Sequence, residues 1–129
     1  MLKATHEGPG QLAGVEAVRM YVVDGAPPRR FIAAADVRRV FLHGIKSDLF
    51  DDIFLDIRCQ RIKSKNGVVS VMQMEQFMWL LTEVLTLGMT DQISESEQPL
   101  FSRCVEINSR LAMIGMLSAN DAKEPPGCQ

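Results

Sequence analysis

The dipeptide Asn66-Gly67, set in "RCQRIKSKNGVVSVMQ", constrains this chain more than any other feature. Asn-Gly between β-branched and apolar stretches is a strong short-range hairpin signal, because both central positions of a type I′ turn need positive φ. It predicts strands over roughly 58–63 and 68–72. A second strand pair is predicted upstream. "VEAVRMYVV" has the β-branched and aromatic content of a strand, "DGAPPRR" is a turn rich in Asp, Gly and Pro, and "RFIA" resumes the extended pattern. Helical periodicity takes over from Ala33, where Val37, Val40 and Phe41 fall on one face before a stop at Gly44.

Ser47 then stands as N-cap of a second helix, with acids in its first turn where the helix dipole favours them. A third helix is predicted from Gln73 to Leu87, stopped by Gly88, and a fourth from Pro99 to about Ser118. The fourth carries an apolar stripe of Leu100, Cys104, Ile107, Leu111 and Ile114. Residues 1–13, marked by Gly and Pro, are predicted to be flexible, and residues 119–129 to be a disordered tail. The order β-β-α-α-β-β-α-α gives an α+β fold: one domain over 14–118, with a core over 15–88, two hairpins and about four helices. A winged-helix-like element is compatible with this order. A chain of 129 residues suits one such domain.

The segment "SDLFDDIFLDIR" threads four aspartates through apolar residues. On a helix Leu49, Phe50, Ile53, Phe54 and Ile57 share one face, while Asp48, Asp52 and Asp56 form a stripe on the other, with Asp51 beside it. A row of repelling carboxylates on a solvated face is neither an acid/base pair nor a metal cage. The same stripe disfavours this helix as a reader of DNA, whose phosphates it would repel. Leu55 lies within the acidic face and suits a protein partner carrying a basic, partly apolar patch.

Trp79 is the only tryptophan. It falls on the polar side of the third helix with Glu75, Gln76 and Glu83, while Phe77, Leu80, Leu81, Val84 and Leu85 take the apolar arc. Either another part of the domain, such as the last helix, covers Trp79, or it anchors a partner, as tryptophan is enriched at interface hot spots. The protein-binding candidates are therefore Asp48, Asp52, Leu55, Asp56, Glu75, Trp79 and Glu83. Arg58, Arg61, Lys63 and Lys65 cluster around the second hairpin. They read either as a phosphate-contacting wing or as the charges that keep an edge hairpin from aggregating.

The net charge of -2 supplies no global attraction for nucleic acid or anionic membrane. The three cysteines are odd in number and widely spaced, as expected of a reducing, intracellular setting, nuclear or cytoplasmic. No apolar run has the length that spans a bilayer. The chain has no P-loop, G-x-S-x-G or H-E-x-x-H, and no Cys or His pair with zinc spacing. No catalytic residue, cofactor or metal ligand is nominated, and the expectation is a non-enzymatic protein.

The stretches "MYVVDGAPPRRFIAAADVRRVF" and "LDIRCQRIKSKNGVVSVMQMEQFMWLL" resemble the Ski/Sno/Dachshund homology domain. The likeness rests on Val22, Val23, Asp24 and Gly25, the spacing to Phe31 and Ile32, and Val40, Ile57, Gln76 and Leu80. The family's Cys-Leu-Pro-Gln motif is replaced here by "FIAAAD". The resemblance implies a protein-protein interaction domain of a transcriptional or chromatin co-regulator that binds corepressors and transcription factors. The opening "hairpin then A-x-D-V" is also similar to phage antirepressor-type N-terminal domains, which implies a nucleic-acid-binding regulator using the basic hairpin. The last helix is a candidate homodimer contact.

Overall fold

The computed structural model describes residues 1–12 and 16–123. Both predicted hairpins are present. Strands β3 (Glu16–Val23) and β4 (Arg29–Ala33) run antiparallel, with Tyr21 opposite Phe31 and Met20 opposite Ile32. Strands β5 (Gln60–Ser64) and β6 (Gly67–Met72) pair with Ser64 opposite Gly67, so Lys65 and Asn66 form the tip. This differs from the predicted type I′ turn. Asn66 keeps negative φ, and only Gly67 takes the left-handed side, at φ 111°. The Ser64 hydroxyl accepts the Asn66 N–H at 3.2 Å and donates to the Gly67 carbonyl at 2.8 Å, which fixes the tip.

The first twelve residues, expected to be flexible, are instead two strands, β1 (Leu2–Lys3) and β2 (His6–Leu12). The sheet order is β1-β5-β6-β4-β3-β2, so β1 and β2 are its two ends. They are joined in the chain by Ala4 and Thr5 alone. The Ala4 N–H donates to the Lys63 carbonyl at 2.9 Å, and the Thr5 N–H donates to the Val22 carbonyl at 2.7 Å. The N-terminal segment therefore pairs with β5 in parallel and with β3 antiparallel, and closes the sheet into a small barrel. The Gly-Pro-Gly of residues 8–10 hid this strand. Pro9 is tolerated because β2 has a strand neighbour on one side only. At Gly10 the Met20 side chain packs against the bare backbone, in the space a Cβ would take.

Alternation along the strands divides the apolar residues into two cores. Tyr21, Phe31, Ala33, Ile62 and Val71 fill the barrel, with Leu2, Ala4, Val23 and Val69 packed against them. Val18, Ile32 and Met72 face the helices. These are α1 (Ala34–Leu42), α2 (Asp48–Leu55), α3 (Met74–Met89) and α4 (Gln98–Lys123). The rings of Phe41, Phe50 and Phe77 meet between α1, α2 and α3, with centroids 5.0 and 5.4 Å apart. Gly88, predicted to stop α3, lies within it and lets the Phe101 ring of α4 sit against the backbone. Leu100, Cys104 and Ile107 of α4 are buried, whereas Met113 and Ile114 are exposed. Helix α4 outruns its predicted end, and the predicted tail from residue 124 lies outside the described residues. The second hairpin lies within the sheet order, with β1 beside β5 at Ile62 and Lys63 and β4 beside β6 at Val71 and Met72.

Buried Asp36 ties the barrel to the helices. Its carboxylate accepts the Arg19 backbone N–H at 2.7 Å, the Arg19 side chain at 3.0 and 3.2 Å, and Arg39 at 3.1 Å. Burial opposes its charge, but the hydrogen bonds from Arg19 and the charges of Arg19 and Arg39 outweigh that, and its pKa lies below the ordinary value. The unfolded chain then takes up this proton first as pH falls. The stability Asp36 contributes is present above the ordinary aspartate value, about 3.9, and is lost below it as pH falls toward the folded-state pKa. Asp36→Asn is expected to cost about 1–3 kcal/mol at pH 7, and the gap from wild type should narrow by pH 3 in urea titrations. Gly88→Val should cost about 1–3 kcal/mol through overpacking on Phe101, read as a lower urea midpoint with little change in m-value.

Candidate interaction surfaces

The amphipathic pattern of α2 is realised as read. Phe50 and Ile53 are buried, Leu49, Phe54 and Ile57 pack beside them, and Asp48, Asp51, Asp52 and Asp56 are exposed. Asp51 pairs with Arg38 of α1 at 2.8 Å. Ser47 caps the helix by accepting the Phe50 N–H at 3.0 Å, and its hydroxyl donates to Glu97 from the turn before α4. These ties hold the first half of α2 and so aim its C-terminal end.

That end meets the first turns of α3. Asp56, Ile57, Arg58, Glu75, Gln76 and Trp79 line a groove of about 280 Å³. Gln76 opens α3 by accepting the Gln73 N–H at 2.9 Å, and its amide donates to the Arg58 carbonyl at 3.2 Å, pinning the two walls together. Phe77, Leu80, Leu81 and Val84 occupy the buried side of α3, which leaves Trp79 on the outside, 42% exposed. Leu55, at the end of α2, is 81% exposed. Of the predicted protein-binding residues, the groove gathers Asp56, Glu75 and Trp79. Asp48 and Asp52 lie farther back along α2, and Glu83 lies one turn beyond Trp79, outside the groove lining.

The basic residues divide. Arg58 belongs to the Trp79 groove. Lys63 stands in register with Lys3 of β1, and Lys3, His6, Lys63 and Lys65 share a recess of about 290 Å³ at the closure of the barrel. Glu7 also lines it, and its carboxylate accepts the Lys65 N–H at 2.6 Å. Arg61 is exposed on the same outer face as Lys63, with Ile62 pointing inward between them.

Lys3 and Gln76 were missed as site residues. Nothing in local periodicity brings a residue of the first strand beside one sixty positions later. Gln76 read as an ordinary polar-face residue, because its contact with Arg58 depends on how α2 and α3 meet.

Cys104 is buried against the helices, which pushes its thiol up to about 12, and burial also raises that of Cys59. Neither is an activated nucleophile; Cys128 lies outside the described residues. Among the described residues, no three His, Cys, Asp or Glu side chains are gathered as a metal site, and no helix is long and apolar enough to cross a membrane. No family model, no curated protein and no solved structure matches the chain.

Proposed function

We propose that this is a non-enzymatic protein-interaction domain whose principal surface is the groove of Trp79. The observation that carries this reading is a single tryptophan, half exposed, standing over a groove whose walls are already fixed to each other by Gln76 and the Arg58 carbonyl. A pre-formed groove with an aromatic anchor loses little conformational entropy on binding. Exposed Leu55 and the acids Asp56 and Glu75 favour a partner with a basic, partly apolar face. The resemblance to the Ski/Sno/Dachshund domain supplies the context, a transcriptional or chromatin co-regulator acting in the nucleus. Exposed Met113 and Ile114 on α4, beyond the packed part of that helix, favour a homodimer contact there.

A second reading draws on Lys3, which adds a cation beside Lys63 and Lys65. With Arg61 on the same outer face, this surface would contact a nucleic-acid backbone.

Two measurements separate the readings. Trp79→Ala should lower stability by less than the ~3–5 kcal/mol of a buried aromatic and should abolish retention of partners isolated with the wild-type protein. A stability loss of that full size, or unchanged retention, would contradict the first reading. Anisotropy of labelled random duplex DNA should show no micromolar binding at low salt. Salt-sensitive binding at about 1 µM or tighter, abolished by Lys63→Glu with Lys65→Glu, would establish the second reading instead.

A further inference from the structure

The barrel has a gap. Strand β4 pairs with β3 along Arg29–Ile32, but with β6 only at Ile32 and Ala33. Beyond Ile32 the chain after β6 turns into α3. Among the described residues, no strand lies on the β6 side of residues 29–31, and no backbone bond from another segment replaces one. Of these three residues Arg30 turns its N–H and C=O to that side, where they are left as an open donor and acceptor, while Arg29 and Phe31 face β3. An apolar cavity of about 220 Å³ opens along this stretch, lined by Met20, Tyr21, Phe31, Ile32 and Met74, with Arg30 also contributing to its wall. Arg29 and Arg30 are exposed, and neither is ion-paired among the described residues. The Arg29 guanidinium lies over the Phe31 ring, 5.8 Å from its centroid.

We propose that the unpaired edge of β4 receives an extended acidic peptide of a partner protein, which adds a short strand at residues 29–31 and seats one apolar side chain in the cavity. Main-chain pairing at an open edge gives affinity, and a pocket beside it gives selectivity for alternate side chains. The charge fixes the partner's chemistry. Two unpaired arginines on adjacent residues point to opposite faces of the strand, so carboxylates on either side of the incoming strand find a cation. A second copy of this chain is a poor occupant. A two-fold pairing of the same edge would set Arg29 and Arg30 against their own counterparts. This surface is separate from the Trp79 groove and does not depend on that reading.

The test uses the full chain and a labelled hexapeptide with two adjacent glutamates, one on each face of the extended peptide, flanked by leucine and valine, beside its lysine counterpart. The acidic peptide should bind, and the lysine peptide should bind at least ~10-fold more weakly. Arg29→Glu with Arg30→Glu should weaken the acidic peptide by a similar factor, and Trp79→Ala should leave it unchanged. Hydrogen exchange on the wild-type protein should show new protection at the Arg30 amide within residues 29–31 when the peptide is bound, a readout independent of whether the double variant folds. Binding indifferent to peptide charge would overturn the proposal. So would an absence of new protection at residues 29–31, no binding of the acidic peptide at about 1 mM, or self-association through this edge.

Discussion

Two residues hold the two ends of the sheet together. Ala4 bonds to Lys63 on β5, and Thr5 bonds to Val22 on β3. Without that bridge β1 and β2 are strands on opposite edges of an open sheet, and the inner apolar residues have no cover. With it, Phe31, Ile62 and Val71 become fully enclosed. Each such side chain contributes roughly 1.5–3 kcal/mol when removed from water. The bridge is reinforced at both flanks: the Thr5 hydroxyl donates to the Val22 carbonyl and accepts the Asp24 N–H, and Glu7 accepts the Lys65 N–H. A barrel this small would be marginal alone. Its outer face is the floor of a second core, so each core supports the other.

Polar ties carry that support from the barrel to the surfaces. Asp36 binds the start of α1 to β3. Arg103 of α4 donates to the Val40 and His43 carbonyls at 3.2 and 3.0 Å, closing the far end of α1. Glu97 holds the N-terminus of α2 through Ser47 and the Leu49 N–H. Helix α2 is therefore fixed at its start by α4's leading turn and at its end by Gln76. The Trp79 groove forms where this frame leaves an aromatic outside. The gap beside β4 forms where β6 gives way to α3.

Local chemistry made much of this legible. Both hairpins, the acidic face of α2, the buried arc of α3 and the place of Trp79 on the polar side of that helix follow from periodicity and turn residues, whereas its exposure depends on where α4 packs. What failed did so for non-local reasons. Gly8, Pro9 and Gly10 disfavour a strand by propensity, yet β2 exists because β3 offers a full partner and Gly10 is where Met20 packs. Gly88 is a good helix stop by composition, and only the close approach of α4 explains why the helix continues through it. The Asn66-Gly67 signal located the hairpin correctly and its tip one residue late. Pairing of Lys3 with Lys63, and the open stretch of β4, are properties of sheet order that no single segment encodes.

The function proposed here depends on surfaces that keep their shape because the barrel is closed. Amide hydrogen exchange at Ala4 and Thr5 tests that closure most directly. If the N-terminal segment completes the barrel, these two amides exchange as slowly as those of β3 and β5, through the same global opening. Exchange at the rate of an unstructured peptide, while the β3–β4 hairpin stays protected, would contradict the account and leave an open sheet in place of a barrel.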